Sequence, residues 1–442
     1  MTKSEILRLA QHEQVQFLRL QFTDIYGQIK NVEIPSPQFS MALDSQVLFD
    51  GSSLENFTRS QELDMVLVPD YETFRIYPWT EDAENHRIAS IICDIHYPDG
   101  SEFEGCPRLA LKRLIQSCGR LGYEYKVSSE VEYFLFKKKP DGSPTLTTHD
   151  SAGYFDLMPN DIGDAVRRQI VKSLENMNFK VESAHHEVAP GQHEIDFIQV
   201  DAITAADYVS GCRYVARKIA HDFDLHATFM PKPLVDQYGS GLHFHQTLLK
   251  NGKNAFFASK KPYLLSKDAL GFIGGQLRHA RGYCAITNPL INSYKRLVDG
   301  AEAPTYAVWS EQNVSPLLRL PNHHEENTNI ELRLPDPTCN PYLALTVILQ
   351  AGLDGIRHRV NPGNPVNKDI FSMSQRERGR LKIEPLPKDL NEALTHFKRD
   401  KLIQAALGEY IYKNFLTAKK AEWDSYISQI HPWEINKYFT YF

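Results

Sequence analysis

Apolar and polar positions change rhythm near residue 100. Thr2-Lys3-Ser4-Glu5 has the capping-box pattern and predicts a short helix through about Gln11. Val15, Phe17, Leu18, Leu20 and Phe22 then predict a strand, a turn falls near Tyr26-Gly27, and Ile29, Val32 and Ile34 predict the return. Residues 65–68 and 88–95 are further strand candidates. Tyr97-Pro98-Asp99-Gly100 is a turn signal, and Pro107 suits the opening of a helix. A boundary is expected there, between a small strand-dominated unit, residues 1–103, and a larger one, residues 104–442.

Beyond that boundary, helix alternates with strand. Leu109, Leu111, Leu114, Ile115 and Cys118 keep helical spacing, and Gly119 and Gly122 mark the exit. Residues 161–177 and 202–223 also read as helices; 123–136, 180–187, 194–198, 227–230 and 241–249 read as strands. The last third is rich in helix, with 343–356 its most apolar segment. The expected fold class is α+β: a small β unit followed by a large mixed one.

Composition narrows the function. The chain is 42% hydrophobic and 24% charged, with a formal net charge of −6, which is ordinary for a soluble globular chain. No basic stripe offers a track for nucleic acid. The longest apolar stretch, residues 343–353, is broken by Thr346 and Gln350 and is too short to span a bilayer, and the first residues lead into no signal-like apolar run. Cys93, Cys106, Cys118, Cys212, Cys284 and Cys339 lie far apart, which points to reduced thiols in a cytoplasmic interior rather than disulfides or zinc. The expectation is a cytoplasmic protein with neither a nucleic-acid nor a membrane partner.

The candidate chemistry is a scattered set of carboxylates and imidazoles in strand contexts. Glu130 and Glu132 are two apart, so a strand would present both on one face. Glu187 and Glu194 flank a Pro190-Gly191 turn, His243 and His245 share a strand face, and so do Glu331 and Arg333. Five carboxylates brought together would repel unless a cation neutralised them. Oxygen donors with one imidazole suit Mg²⁺ or Mn²⁺ better than zinc or copper, and a pair of such ions can clamp a transferring phosphoryl group.

At these residues the chain resembles a known family. Phe49-Asp50-Gly51-Ser52-Ser53, Asp64 to Asp70, Gly153-Tyr154-Phe155, His185-His186-Glu187, Ala227 to Pro233, Asn292 to Val298, Asn340-Pro341-Tyr342-Leu343 and Ala351 to Ile356 follow, in order, the motifs of a type I glutamine synthetase. Phe371, where some members have a modifiable tyrosine, marks the short subtype that is not adenylylated, and Arg59 matches an arginine linked there to feedback inhibition. The resemblance implies an amino-terminal β-grasp domain and a catalytic domain whose curved antiparallel sheet is flanked by helices. It also implies a homo-oligomer, a dodecamer of two hexameric rings with active sites between subunits. The implied reaction joins glutamate and ammonium at the expense of ATP, through a γ-glutamyl phosphate.

By the same resemblance, Glu132, Glu187 and Glu194 would hold one divalent ion, and Glu130, His243 and Glu331 the other. Arg296, Arg333 and Gly239 would hold glutamate, and His245, Thr247 and Arg319 the nucleotide, with Arg319 also serving catalysis. Asp50 and Ser53 would join Tyr154, Glu187 and Glu302 around ammonium, with Asp50 taking its proton and Glu302 shielding the acyl phosphate. Some positions depart from the family pattern. Val314 and Asn329 stand where arginines are usual, Tyr238 replaces an asparagine, Asp299 and Ala301 alter the flap, and His323-His324-Glu325-Glu326 adds negative charge. The alternative reading they suggest is an assembly with lost or altered catalysis, or a γ-glutamyl ligase for another amine.

Overall fold

The computed structural model describes residues 1–51, 64–80, 86–300, 302–313, 315–321 and 327–442. Ser53, Arg59, Ala301, Val314 and His323 to Glu326 lie outside the described residues. Helix α1 (Lys3–His12) opens on both arms of the capping box, with Glu5 N donating to Thr2 Oγ1 at 3.3 Å and Thr2 N to Glu5 Oε2 at 2.6 Å.

The first sheet contains β1 (Val15–Thr23), β2 (Ile29–Pro35), β3 (Leu48–Asp50), β4 (Asp64–Pro69), β5 (Arg75–Thr80) and β6 (Arg87–His96). Their order is β2-β1-β6-β4-β3, with β5 also on β6; β1 and β6 run parallel and the other pairs antiparallel. Alternate residues Leu18 and Leu20, Met65 and Leu67, and Ala89, Ile91 and Cys93 are buried in one core with Ile6 and Ala10 of α1. Helix α2 (Phe39–Leu43) adds Phe39 and Leu43 to it.

Helix α3 (Pro107–Arg120) begins at the expected proline. Its Arg108 is buried and ties the two sheets together: the guanidinium reaches Asp70 at 2.8 Å, Asp94 at 3.2 Å and Asp207 at 3.0 Å. The second sheet is built on β7 (Glu124–Lys138), which pairs with β8 (Pro144–Thr148), β10 (Gln192–Phe197), β11 (Val200–Asp201), β12 (Leu225–Thr228) and β13 (Leu242–Lys250). Beyond β10 lies β9 (Val181–His186). Strand β14 (Lys253–Asn254) pairs with β13, and on the far side of β13 come β17 (Ile330–Leu332), β16 (Leu318–Arg319) and β15 (Trp309–Ser310). All these pairs are antiparallel except β15 with β16.

One side chain parity of β7, Tyr125, Val127, Val131, Tyr133 and Leu135, enters the main core, where α5 (Ala202–Asp222), α6 (Lys267–Thr287) and α8 (Pro341–His358) bury their apolar residues. Helices α6 and α8 cross in backbone contact. A Cβ on Gly275 would lie 2.0 Å from Ala351 O, so only glycine permits this spacing. The helical region expected from residue 161 starts later, as α4 (Asp164–Asn176), because Asp161 turns its carboxylate to Arg167 at 2.7 Å instead of entering the helix. The short α7 (Ser293–Arg296) and α9 to α13 (Gln375–Arg380, Leu390–Arg399, Lys401–Leu407, Glu409–Ile427, Pro432–Tyr438) complete a carboxyl third rich in helix. No helix among the described residues is long and apolar enough to cross a membrane.

Candidate active site

The other parity of β7 carries Glu130 and Glu132, and register explains what joins them. Residues directly opposite in antiparallel strands project from the same face. His243 on β13 is opposite Glu130, Glu194 on β10 is opposite Glu132, and Asp196 is opposite Glu130. The row extends outward on both sides: His185 on β9 is opposite Glu194, Glu331 on β17 is opposite His245, and Arg319 on β16 is opposite Glu331. His185 and Glu194 in one segment and Arg319 and Glu331 in another thus reach a single sheet face. This face forms a cavity of about 470 Å³ lined by Glu130, Glu132, Glu187, Glu194, His243 and Arg333, among others.

Within and beside it the charges are closely packed. His243 Nδ1 lies 2.7 Å from Glu130 Oε2 and 3.7 Å from Glu331 Oε1, while His243 Nε2 lies 3.9 Å from Glu132 Oε1. His245 Nε2 is 2.6 Å from Glu130 Oε1, and its Nδ1 is 3.0 Å from Asn329 Oδ1. On the other flank His185 is 3.6 Å from Glu187 and 3.4 Å from Glu194.

Proton affinities diverge accordingly. Burial pushes Glu187 up to about 8, with Glu132 adding to the effect, and burial, Glu130 and Glu132 hold Glu194 well above the ordinary carboxylate range. Burial would also raise Glu130, but His245 and His243 outweigh it and hold that group well below its usual value. Burial would lower His245, yet Glu130 raises it to about 9. Glu331 falls below the usual range because Arg333, then His245 and His243, overcome its burial.

The donor set fits a divalent cation. One ligand atom each from Glu130, His245 and Glu331 lies within 4.8 Å of the others, and the same holds for His185, Glu187 and Glu194. Burial and neighbouring carboxylates raise the proton affinity of Glu187 and Glu194, a crowding that a bound cation would relieve.

Around this set stand the cationic and small residues. Arg333 Nη1 and Arg319 Nε each approach Glu331 at 2.5 Å. Arg296 is buried, donating to Leu334 O at 2.9 Å and Arg333 O at 3.1 Å. A Cβ on Gly239 would lie 2.2 Å from Pro231 O; one on Gly241 would lie 2.7 Å from His243 Nε2 and 2.9 Å from Glu132 Oε1. Tyr154, Tyr238 and Glu302 line the cavity, and burial followed by Glu187 raises the Tyr154 phenol.

Four expected residues among those described are not in this lining: Glu331 and His245, which adjoin it through Arg333 and Glu130, and Thr247 and Asp50. Thr247 is buried further along β13, accepting from Gln199 Nε2 at 3.0 Å, and is not in the lining of this cavity. Asp50 is exposed at the end of β3 on the first sheet and is not among the lining residues of its own chain. Conversely, His185, Gln192 and Asp196 line the cavity without having been singled out. Gln192 Nε2 donates to Glu132 Oε2 at 2.8 Å and to Gly239 O at 3.3 Å. The period of two that marks Glu130 and Glu132 also relates His185 to Glu187, and that signal was readable.

Comparison with known proteins fits this arrangement. Residues 104–438 match the glutamine synthetase catalytic domain, and residues 14–98 match the glutamine synthetase β-grasp domain. The chain belongs to the glutamine synthetase family. It is 51% identical over 439 residues to the glutamine synthetase of Thermus thermophilus, covering 99% of this chain and 98% of that one. It is 48% identical over 438 residues to that of Staphylococcus aureus strain MW2, with the same coverage. Among solved structures, GmaS in complex with ADP superposes with a TM-score of 0.88 at 29% identity, covering 98% of this chain and 99% of that one. The catalytic-domain match contains every cavity residue described above, and the β-grasp match contains Asp50.

Proposed function

We infer that this glutamine synthetase family member is a glutamate–ammonia ligase, an ATP-dependent enzyme making glutamine. One observation carries the reading. A chain about half identical to glutamine synthetases along its length places Glu130, Glu132, Glu187, Glu194, His243 and Glu331 on one sheet face beside Arg296, Arg319 and Arg333.

Glu132, Glu187 and Glu194 would hold one Mg²⁺ or Mn²⁺, and Glu130, His243 and Glu331 the other, with His185 and His245 at their edges. Such cations, when bound, neutralise charge on the oxygens of a transferring phosphoryl group. Arg296 and Arg333 would take the carboxylate of glutamate in guanidinium forks, with main-chain groups at Gly239 fixing its pose. The γ-carboxylate of glutamate attacks the terminal phosphorus of ATP, ADP leaves, and Arg319 steadies the negative charge in transit. His245 would sit at the nucleotide end. Ammonium would then settle between Tyr154, Glu187 and Glu302, with Asp50 and Ser53 supplied by a neighbouring subunit. Asp50 takes one proton, the freed nitrogen pair attacks the γ-carbonyl, and phosphate departs with a second proton from that nitrogen, leaving glutamine. Glu302 would keep water from the acyl phosphate.

A homo-oligomer with shared sites, proposed as a dodecamer, is supported by the position of Asp50 outside its own chain's cavity. It is supported too by the apolar carboxyl end, where Ile430, Trp433, Phe439, Tyr441 and Phe442 are exposed. A cytoplasmic setting fits six buried cysteines that form no disulfide. The test is direct: purified protein given Mg²⁺ or Mn²⁺, ATP, glutamate and ammonium should release phosphate and form glutamine in equal amounts. Absence of both products would contradict the reading.

A further inference from the structure

Behind the cation-binding face lies a second polar cluster that does not line the cavity: Asp150, Asp161, Arg167, His186 and His193, all buried. Asp150 Oδ1 accepts the Gly191 N–H at 2.8 Å and lies 3.0 Å from His186 Nε2. His186 Nδ1 lies 2.7 Å from the Glu187 carbonyl oxygen. Both nitrogens of His186 therefore face oxygen acceptors, and both donate. A single carboxylate oxygen thereby holds both ends of the turn over residues 187–191, which Glu187 N closes by donating to Gln192 O at 2.8 Å.

The other half of the cluster grips β10. Arg167 donates from Nη1 to His193 Nδ1 at 2.8 Å and from Nη2 to Asp161 Oδ2 at 2.7 Å. A guanidinium only donates, so His193 Nδ1 accepts and its Nε2 carries the hydrogen. His193 Nε2, Asp150 Oδ2 and Asp161 Oδ1 are buried without hydrogen-bond partners. Asp150, Asp161, His186 and His193 offer atoms within 4.8 Å of one another, a spacing a metal could use. An Nε2 bearing its hydrogen cannot ligate a cation, however, and one donor with two acceptors is the complement of a single water.

We propose that Asp150 is a positioning residue for the cation site: through His186, Gly191 and a water shared with His193 and Asp161, it fixes where Glu187 and Glu194 point. This rests on the reading of Glu187 and Glu194 as cation ligands. The immediate neighbours of the clamp are those ligands themselves, Glu187 following His186 and Glu194 following His193 in the chain. Gly163 packs against it so closely that a Cβ there would lie 2.5 Å from His193 Cε1.

The experiment is Mn²⁺ titration of the full-length protein followed by electron paramagnetic resonance, with thermal unfolding in EDTA as the check on folding. Asp150→Ala is expected to weaken Mn²⁺ binding about ten-fold or more, whereas Asp150→Asn, whose amide oxygen still accepts both N–H groups, stays within about three-fold of wild type. Should Asp150→Ala not fold, Gly163→Ala takes its place, pressing on the His193 ring without deleting a polar group, and weaker binding is again expected. Unchanged Mn²⁺ affinity in the folded variant overturns the proposal, and so does an Asp150→Asn variant as impaired as Asp150→Ala. Glu187→Gln in the same titration separates the two levels. If it binds Mn²⁺ as tightly as wild type, the ligand reading itself fails; if it weakens while Asp150→Ala does not, only the positioning role fails.

Discussion

Glu194 shows how a single side chain serves function against stability. It is buried and faces Glu130 and Glu132, and burial with those two neighbours holds its carboxyl well above the ordinary range. Glu194→Gln removes that burden and, on the proposed reading, a cation ligand together. In EDTA near pH 7 the variant should unfold at a higher temperature than wild type, while Mn²⁺ binding falls roughly ten-fold or more. A lower melting temperature in EDTA with undiminished Mn²⁺ binding would contradict its place in the site. At this scale the sequence was legible wherever period-two spacing lay within one strand, as at Glu130 and Glu132 or His243 and His245. It was not legible across strands, because register depends on turns and partners rather than on composition. Parity assigns a face and not a height on the sheet: Thr247 shares the parity of His243 and His245, and its hydroxyl accepts from Gln199.

The long elements were readable because their patterns are strong. Helices α5 and α8 and strands β1, β6, β7 and β13 coincide with the expected periodic segments to within a few residues, while two-residue strands such as β15 and β16 exist only through tertiary pairing. Helix junctions depend on groups distant in sequence. His279 on α6 sets Nδ1 2.6 Å from Asp400 and Nε2 3.2 Å from Asp354 on α8, a carboxylate also approached by Arg278 and His358. Burial would lower the imidazole, but Asp400 and Asp354 raise it above its ordinary value. The native state thus keeps a proton that the unfolded chain begins to lose at about pH 6.5. The stabilisation is complete below that pH and is lost as pH rises through the raised value. The difference in urea midpoint between wild type and His279→Gln should therefore shrink from pH 6 to pH 9. A difference that grows over that range would contradict this pairing.

At the scale of the molecule, two sheets must be held so that the site and the β-grasp domain keep a fixed relation. Arg108 does this with one buried guanidinium shared among Asp70 and Asp94 on the first domain's side and Asp207 on α5, which Tyr342 on α8 also contacts at 2.7 Å. Removing one partner from such a buried pair strands the others at about 3–5 kcal/mol, which makes the network a strict condition on how the domains meet. Directly bonded partners within it lie up to 135 residues apart and show no local spacing, so the sequence alone could not reveal it. The alternative of lost or altered catalysis, suggested by Asn329, is not favoured. Asn329 instead bonds His245 Nδ1 and helps seat a ring of the cation face, and identity to glutamine synthetases runs the length of the chain.

The central claim is that one face of the second sheet is a divalent-cation centre. Anomalous diffraction from crystals grown with Mn²⁺ tests it most directly. The account predicts one Mn²⁺ peak at coordinating distance from Glu132, Glu187 and Glu194 and a second beside Glu130, His243 and Glu331. Ordered Mn²⁺ found only elsewhere, with these carboxylates uncoordinated, would contradict it.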